Sequence, residues 1–448
     1  MGDAKLICIV TCPNPLIFLS AGEASGDHYG AAIIAELRRR IPAASFTGLG
    51  GTAMESAGQQ RIVRAEDVAH MGLTEVLRHA LYIHSQYRAL VRAIKRSPPA
   101  LAILIDFPDV NFRLAAHCKR LGVPVLWFVS PQLWAWKRRR LRWVQKRVDR
   151  MLVIFPFEAP FYRNRSVNAE FVGHPLATEP LPTISREAYA EGAGSLHQEQ
   201  WNFAVGVKQS MPLPDWAFDK GTLGIRYPLD SAKEWIALLP GSRESEIFAN
   251  LPCMVEAAML LGDMYEYIIP VAPTVSVDTL TAMQEITGDR LIGPNPPRIT
   301  FVRDARAALH HARAAIVASG TATVQALTIG NPFVVVYRVS SLTYKILKRL
   351  IRYPAEIPAQ PDADGNLPIA MPNLIAGRRI VPELINARFT AANLAAALRP
   401  LLDDTPARAQ MIADLAETRA KLLPTPGLDP IHKVCDAAEA LLQSAAAQ

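Results

Sequence analysis

Ala21-Gly22-Glu23-Ala24-Ser25-Gly26-Asp27 sets five small residues and two carboxylates directly after the apolar run LIFLS (16–20). At a strand-to-helix turn, small residues let the backbone approach a ligand, and the N–H groups of the helix start favour anionic or polar groups. A tight turn with Ser25 or Asp27 as helix N-cap is the competing reading. The spacing is not the G-x-G-x-x-G of a dinucleotide site, and no Gly-Lys-Ser/Thr follows to make a P-loop. Leu104-Ile105-Asp106-Phe107-Pro108-Asp109 places a carboxylate at the end of a second apolar run. Asp106, desolvated on one side, suits a general base, whereas Asp109 suits capping a helix begun by Pro108.

The second half holds two further turns of this kind. Leu239-Pro240-Gly241-Ser242-Arg243 precedes a helix containing Glu244 and Glu246, and its arginine is placed to clamp a diphosphate by bidentate hydrogen bonds. Ala318-Ser319-Gly320-Thr321-Ala322-Thr323 offers backbone N–H groups and hydroxyls that can hold phosphate oxygens without a metal. Two such turns in one half of the chain suggest a nucleotide diphosphate. His174, in Val172-Gly173-His174-Pro175, closes the first half as either a site residue or a hydrogen-bonded structural histidine. Residues 134–150 (WAWKRRRLRWVQKRVDR) carry eight basic residues and one acidic residue, interleaved with Trp134, Trp136 and Trp143. That mixture fits an anionic lipid surface, a phosphorylated substrate or a solvated helix face with the tryptophans packed inward. Nucleic acid is disfavoured, because the basic residues are confined to one segment. Residues 344–352 form a second basic amphipathic run, and 71–95 mix apolar and basic residues as an amphipathic helix or the floor of an acyl-chain groove.

These turns need rigid elements behind them. Apolar strands at 16–20, 101–106, 123–130 and 150–156 alternate with helical patterns such as 30–40 and 113–121, the signature of a parallel α/β sheet covered on both faces. Strands at 235–240, 265–273, 314–319 and 333–338 repeat the pattern. Between them, 176–232 is rich in Pro, Gly and polar residues and reads as a linker with an insertion, apart from a short strand at 201–207. The chain therefore divides into a first Rossmann-like domain (1–180), a linker with an insertion (181–232), a second Rossmann-like domain (233–385) and C-terminal helices (386–448). The fold class is α/β: two doubly wound domains with a cleft between them, which bind ligands at the carboxyl ends of their strands. A length of 448 residues, half of them hydrophobic, suffices for two cores and excludes a disordered chain. The net charge of +7 suits anionic substrates or an anionic surface. Five scattered cysteines without a C-x-x-C pair argue against a disulfide framework or structural zinc and for a reducing cytosol. No run is long and apolar enough to span a membrane, and Pro13, Asn14 and Pro15 interrupt the apolar N-terminus.

Taken in order, AGEASGD (21–27), MGLTEVL (71–77), IDFPDVN (105–111), VSPQLWAWKRRR (129–140), PFEAPFY (156–162), FVGHPL (171–176), LLPGSRESEI (238–247), ASGTATVQAL (318–327), VVVYRVSSLTY (334–344) and MPNLIAGRRIVPELIN (371–386) closely resemble the lipid A disaccharide synthases, inverting glycosyltransferases of the GT-B type. The resemblance implies condensation of UDP-2,3-diacylglucosamine with 2,3-diacylglucosamine 1-phosphate, giving a β-1,6-linked disaccharide 1-phosphate and UDP. It implies Asp106 as general base and Glu23 as a second catalytic residue. Nucleotide binding falls to Gly241, Ser242, Arg243, Ser319, Gly320, Thr321, Ala322, Gln325 and Asn373. Ser25, Asp27, Met71 and His174 stand on the acceptor side. Family members commonly have glutamate where this chain has Gln325, which can bond two ribose hydroxyls but cannot accept from both with charge. Insertions at 185–232 and 354–368 read as surface loops. The resemblance implies no cofactor and no metal, a place in the cytoplasm against the inner membrane, an anionic membrane surface as partner, and leaves a homodimer open. Other UDP-sugar enzymes of the same fold, and a non-catalytic nucleotide- or lipid-binding module, are the rival readings.

Overall fold

The computed structural model describes residues 14–69, 80–191, 229–272, 275–339, 348, 351–357, 359–362 and 364–446. The chain forms two compact units. Met71, most of the 344–352 run, the strand expected at 201–207 and most of the first insertion lie outside the described residues.

The first unit comprises Met1–Thr178, Arg352–Glu356 and Leu422–Gln448. Its sheet has seven parallel strands: β1 (Leu16–Ala21), β2 (Ser45–Gly50), β3 (Gln59–Arg64), β4 (Leu101–Ile105), β5 (Val125–Phe128), β6 (Arg150–Val153) and β7 (Ala169–Phe171), in the order β3-β2-β1-β4-β5-β6-β7. Every residue of β4 is buried, which fits a strand written as LAILI and covered on both faces. The second unit comprises Glu179–Ile351 and Ile357–Lys421. Its six parallel strands are β8 (Glu234–Leu239), β9 (Tyr265–Pro270), β10 (Arg298–Val302), β11 (Ala314–Ala318), β12 (Phe333–Tyr337) and β13 (Glu383–Ile385), in the order β10-β9-β8-β11-β12-β13.

Both sheets are doubly wound. From β1 the chain builds outward to β3, then returns to lay β4 on the other side of β1; from β8 it builds to β10, then returns to lay β11 beside β8. Each unit thus has one switch point, β1/β4 or β8/β11, where the loops leaving the strand ends diverge and open a crevice.

The C-terminal helices do not form a segment of their own. Ala391–Leu402 packs on Glu244–Leu261, and Pro406–Ala420 packs on Thr321–Ile329, so both belong to the second unit. Pro430–Ala446 packs instead on Ala24–Arg40 in the first unit. The apolar stripe of that last helix buries Val434, Cys435 and Ala438, while Arg40 bonds Asp436 at 2.7 Å and Glu439 at 3.1 Å. Among the described residues Cys118, Cys253 and Cys435 are free and buried.

Candidate functional site

At the first switch point, β1 and β4 pair in register with Ala21 opposite Ile105, so the turn at Gly22 begins level with Asp106. Asp106 is half-buried, and its N–H bonds Phe128 O at 2.9 Å. Asp106 and Phe107 both adopt left-handed backbone conformations, with φ of 44° and 47°. A non-glycine residue held there costs about 1–3 kcal/mol and persists only where its surroundings over-determine it. The surroundings do so here. Buried Asn111 donates Nδ2 to Asp106 O at 2.8 Å and to Ile105 O and Ser20 O at 3.3 Å, while its Oδ1 accepts from Ser20 Oγ at 2.6 Å. Ser20 lies one residue before the end of β1 and Asn111 in the first turn of the helix after β4, so one amide joins both strands under Asp106. The sequence signalled Asn111 only as the last letter of IDFPDVN, with no role attached.

Pro108 does begin the following helix, Pro108–Arg120, but neither carboxylate caps it. Asp109 is exposed and pairs with Arg140 at 2.6 Å. Glu23 is exposed at the N-cap of Ala24–Arg40 without a side-chain cap, and Ser25 is half-buried in the first turn.

Two acceptor-side expectations change. The buried carboxylate of Asp27 accepts from the N–H groups of Gly51 at 2.8 Å, Ala53 at 3.0 Å and Met54 at 3.1 Å. It caps the helix Thr52–Ser56, and that saturates it. His174 is 2% exposed; its Nδ1 accepts from Leu176 N at 3.2 Å, its own N–H bonds Leu422 O at 2.8 Å, and its ring packs on Phe155. Burial lowers its pKa to about 3, so it is a neutral structural residue that pins the returning chain at Leu422.

The loop after β5 rests on a carboxylate that no sequence motif assigns a role. Glu158 is fully buried, with Oε1 accepting from Ser130 Oγ at 2.7 Å and Trp134 Nε1 at 3.1 Å, and Oε2 from Phe155 N at 3.2 Å. All three donors are neutral, and burial raises the Glu158 pKa to about 7. Tyr162 Oη adds a bond to Pro131 O at 2.8 Å.

At the second switch point, β8 and β11 pair with Leu239 opposite Val317, which starts the turns at Pro240 and Ser319 side by side. Gly241 has φ +130°, and a Cβ there would stand 2.7 Å from Glu246 Cβ, so both conformation and space require glycine. Ser242 and Arg243 are exposed at the start of Glu244–Leu261, with Arg243 3.3 Å from Glu246 Oε1. Gly320, with φ +152°, is the N-cap of Thr321–Ile329 and provides no side-chain cap. The N–H groups of Thr321 and Ala322 therefore have no hydrogen-bond partner among the described residues, and with the helix dipole they favour an anion. Gln325 is half-buried one turn further on, on the same face as Thr321.

Asn373, expected at the nucleotide, is engaged within the protein instead. It is 1% exposed, donates to Val381 O at 3.0 Å and Glu383 Oε1 at 2.7 Å, and accepts from Ile380 N at 2.7 Å and Val381 N at 3.0 Å. Its amide is fully used in shaping the loop into β13.

The profile of the family described as Lipid-A-disaccharide synthetase matches residues 17–200 and 219–423. A protein named Lipid-A-disaccharide synthase from Acidobacterium capsulatum is 51% identical over 97% of this chain and 98% of its own length. One of the same name from Koribacter versatilis is 42% identical over 91% of this chain and 93% of its own. Among solved structures, the calicheamicin glycosyltransferase CalG4 superposes with a TM-score of 0.54 at 14% identity, covering 96% of this chain and 99% of that one. The UDP-GlcNAc 2-epimerase of Neisseria meningitidis gives 0.52 at 10% identity, with 96% and 99% covered. The structural likenesses establish the two-unit, doubly wound fold, and the sequence matches over nearly the whole chain establish that it belongs to the lipid A disaccharide synthase family of glycosyltransferases.

Proposed function

We propose that this chain forms the lipid A disaccharide by a single in-line displacement, with UDP-2,3-diacylglucosamine as donor and 2,3-diacylglucosamine 1-phosphate as acceptor. Asp106 takes the proton of the acceptor's 6-hydroxyl as that oxygen attacks the donor's anomeric carbon. The bond to UDP breaks on the opposite face, giving the β-1,6 linkage with inversion. A positioned base contributes about 10²–10⁴-fold. Glu23, at the neighbouring turn, is the second catalytic residue of this reading, with Ser25 on the acceptor side.

The leaving diphosphate gains charge as the bond breaks. Arg243 and the N–H groups of Thr321 and Ala322 are the groups of this chain that would receive it, with Gln325 taking the ribose hydroxyls. Fixed donors of this kind supply the charge stabilisation a metal would otherwise give, and we propose metal-independent turnover. The observation that carries the reading is the placement of each set of residues at the switch point of its own sheet. Both substrates carry acyl chains, so we place the protein in the cytoplasm against the anionic face of the inner membrane. No helix among the described residues is long and apolar enough to cross one.

The test is an assay of purified protein with both detergent-dispersed substrates in the presence of EDTA. Disaccharide 1-phosphate and UDP in equal amounts are expected. Turnover that EDTA abolishes and Mg²⁺ restores would overturn the metal-free arrangement, and UDP release without disaccharide would overturn the acceptor.

A further inference from the structure

Loop 129–137, which leaves β5 beside the Asp106 turn, is anchored from below by buried side chains and leaves Gln132, Trp136 and Lys137 exposed among the described residues. Glu158 holds Ser130 and Trp134, Tyr162 holds Pro131, and the Trp134 ring is wedged between Phe157 and Tyr353. The loop then turns through Lys137, whose φ of +51° is a conformation a lysine rarely adopts, and projects Trp136 outward. Trp136 is 47% exposed, with the Lys137 ammonium 4.0 Å from its ring centroid. Arg138–Arg140 and Leu141–Arg147 follow as short helices. Arg139, Arg142 and Lys146 recur at three- and four-residue spacing along them and are exposed. The other cations of the segment are engaged: Arg140 by Asp109, Arg138 by Trp134 O and Arg147 by Phe112 O. Among the described residues, Lys137, Arg139, Arg142 and Lys146 have no ion-pair partner.

We propose that Trp136, Lys137, Arg139, Arg142 and Lys146 form the docking surface for the headgroups of an anionic lipid bilayer. This rests on the reading of the protein as acting on acylated sugars at a membrane. An exposed indole held by a rigid loop is suited to the headgroup level, where its apolar body and polar N–H both find partners. Each cation near an anionic surface contributes about 1 kcal/mol, or roughly a fivefold factor in affinity. The surface also leaves the same sheet end as Asp106, so docking would bring the base to the leaflet holding the acceptor.

The experiment is cosedimentation of the full chain with phosphatidylethanolamine vesicles containing phosphatidylglycerol, against phosphatidylcholine vesicles, for wild type, Trp136→Ala and the double variant R139E/R142E. Wild type should bind only the anionic vesicles and lose that binding as salt rises from about 0.1 to about 1 M, which cuts the screening length from ~10 to ~3 Å. R139E/R142E should bind at least about twentyfold more weakly, and Trp136→Ala several-fold more weakly, with unchanged thermal unfolding. Turnover of detergent-dispersed substrates should stay as in wild type, which separates docking from catalysis. Wild-type vesicle binding by R139E/R142E would overturn the proposal. So would a rise in its KM for the acceptor in detergent with vesicle binding intact, since the arginines would then hold the acceptor's own phosphate. If wild type binds vesicles through these residues yet turns over neither substrate, the surface stands and the catalytic reading falls.

Discussion

The ring of Phe107 lies over Gly22, so that a Cβ built on Gly22 would stand 2.5 Å from Phe107 Cγ. One residue belongs to the turn after β1 and the other follows Asp106, and neither turn can move without the other. Gly22→Ala should therefore displace the base: kcat should fall at least tenfold, and stability by about 1–3 kcal/mol, as for overpacking. Adding Phe107→Ala should recover part of the lost stability. Additive losses in urea unfolding of the two single variants and the double variant would show that the contact does not couple the turns.

Asp106→Asn keeps both the shape of the side chain and its tolerance for a left-handed backbone. The variant should fold as wild type does, by circular dichroism and thermal unfolding, while disaccharide formation slows by at least about a hundredfold. Near-normal turnover would refute the base assignment.

Asn373→Ala separates a structural role from nucleotide binding. It leaves Ile380 N, Val381 N and Val381 O without this partner, and each buried group so stranded costs about 1–3 kcal/mol. Calorimetry should show thermal unfolding lowered by roughly 5–10 °C, with an unchanged KM for the UDP-sugar in the folded enzyme. A raised KM at unaltered stability would return Asn373 to the nucleotide site.

Gln325→Glu would give the ribose hydroxyls a charged acceptor. Hydrogen bonds to charged groups exceed neutral ones by roughly 1 kcal/mol, so UDP should bind about fivefold tighter in titration calorimetry. Equal or weaker binding would mean that the helix face of Gln325 does not meet the ribose.

Acid sensitivity should divide between two buried groups of opposite sign. His174 has a folded pKa near 3 against 6.5 when exposed, so between these values the unfolded chain binds the extra proton. Its contribution to stability is complete above pH 6.5 and is lost as the pH falls toward 3. Glu158 has a folded pKa near 7 against 4.5, so the folded chain holds the extra proton, and its contribution is complete below pH 4.5 and lost as the pH rises to 7. His174→Asn should gain on wild type by roughly 1 kcal/mol per unit as the pH drops through its window. Glu158→Gln should gain on wild type as the pH rises through the other. Parallel urea midpoints for variant and wild type across pH 4–8 would overturn both assignments.

Among the described residues, eight of the thirteen strands are legible in the sequence because they are nearly pure apolar runs, as in LAILI and FVVVY. Those that escape notice are SFTGLG, QQRIVR, AEF, RITFV and ELI, most of them short or carrying polar residues, and all four sheet-edge strands are among them. An edge strand is covered less fully and needs no continuous apolar run. The turns at Gly22, Asp106, Gly241 and Gly320 were legible for a related reason. Small residues and charged groups after an apolar run have few uses other than ending a strand where a ligand binds.

The sequence by itself determined the family, the α/β class and the turns that carry the chemistry, because each depends on residue types at short spacing. Only the tertiary structure decided which polar residues of those motifs remain available. Asp27, His174 and Asn373 belong to motifs as distinctive as that of Asp106, yet Asp27 and Asn373 are taken up by groups the fold brings to them, and His174 is buried with its Nδ1 accepting from Leu176 N. Asn111 and Glu158, given no role by the sequence, prove to set the loops on which the site and its surroundings rest. Hydrogen-bond satisfaction is a property of three-dimensional neighbours. The last helix makes the same point, since its apolar stripe could have met either sheet, and what places it is the matching stripe and the arginine on Ala24–Arg40.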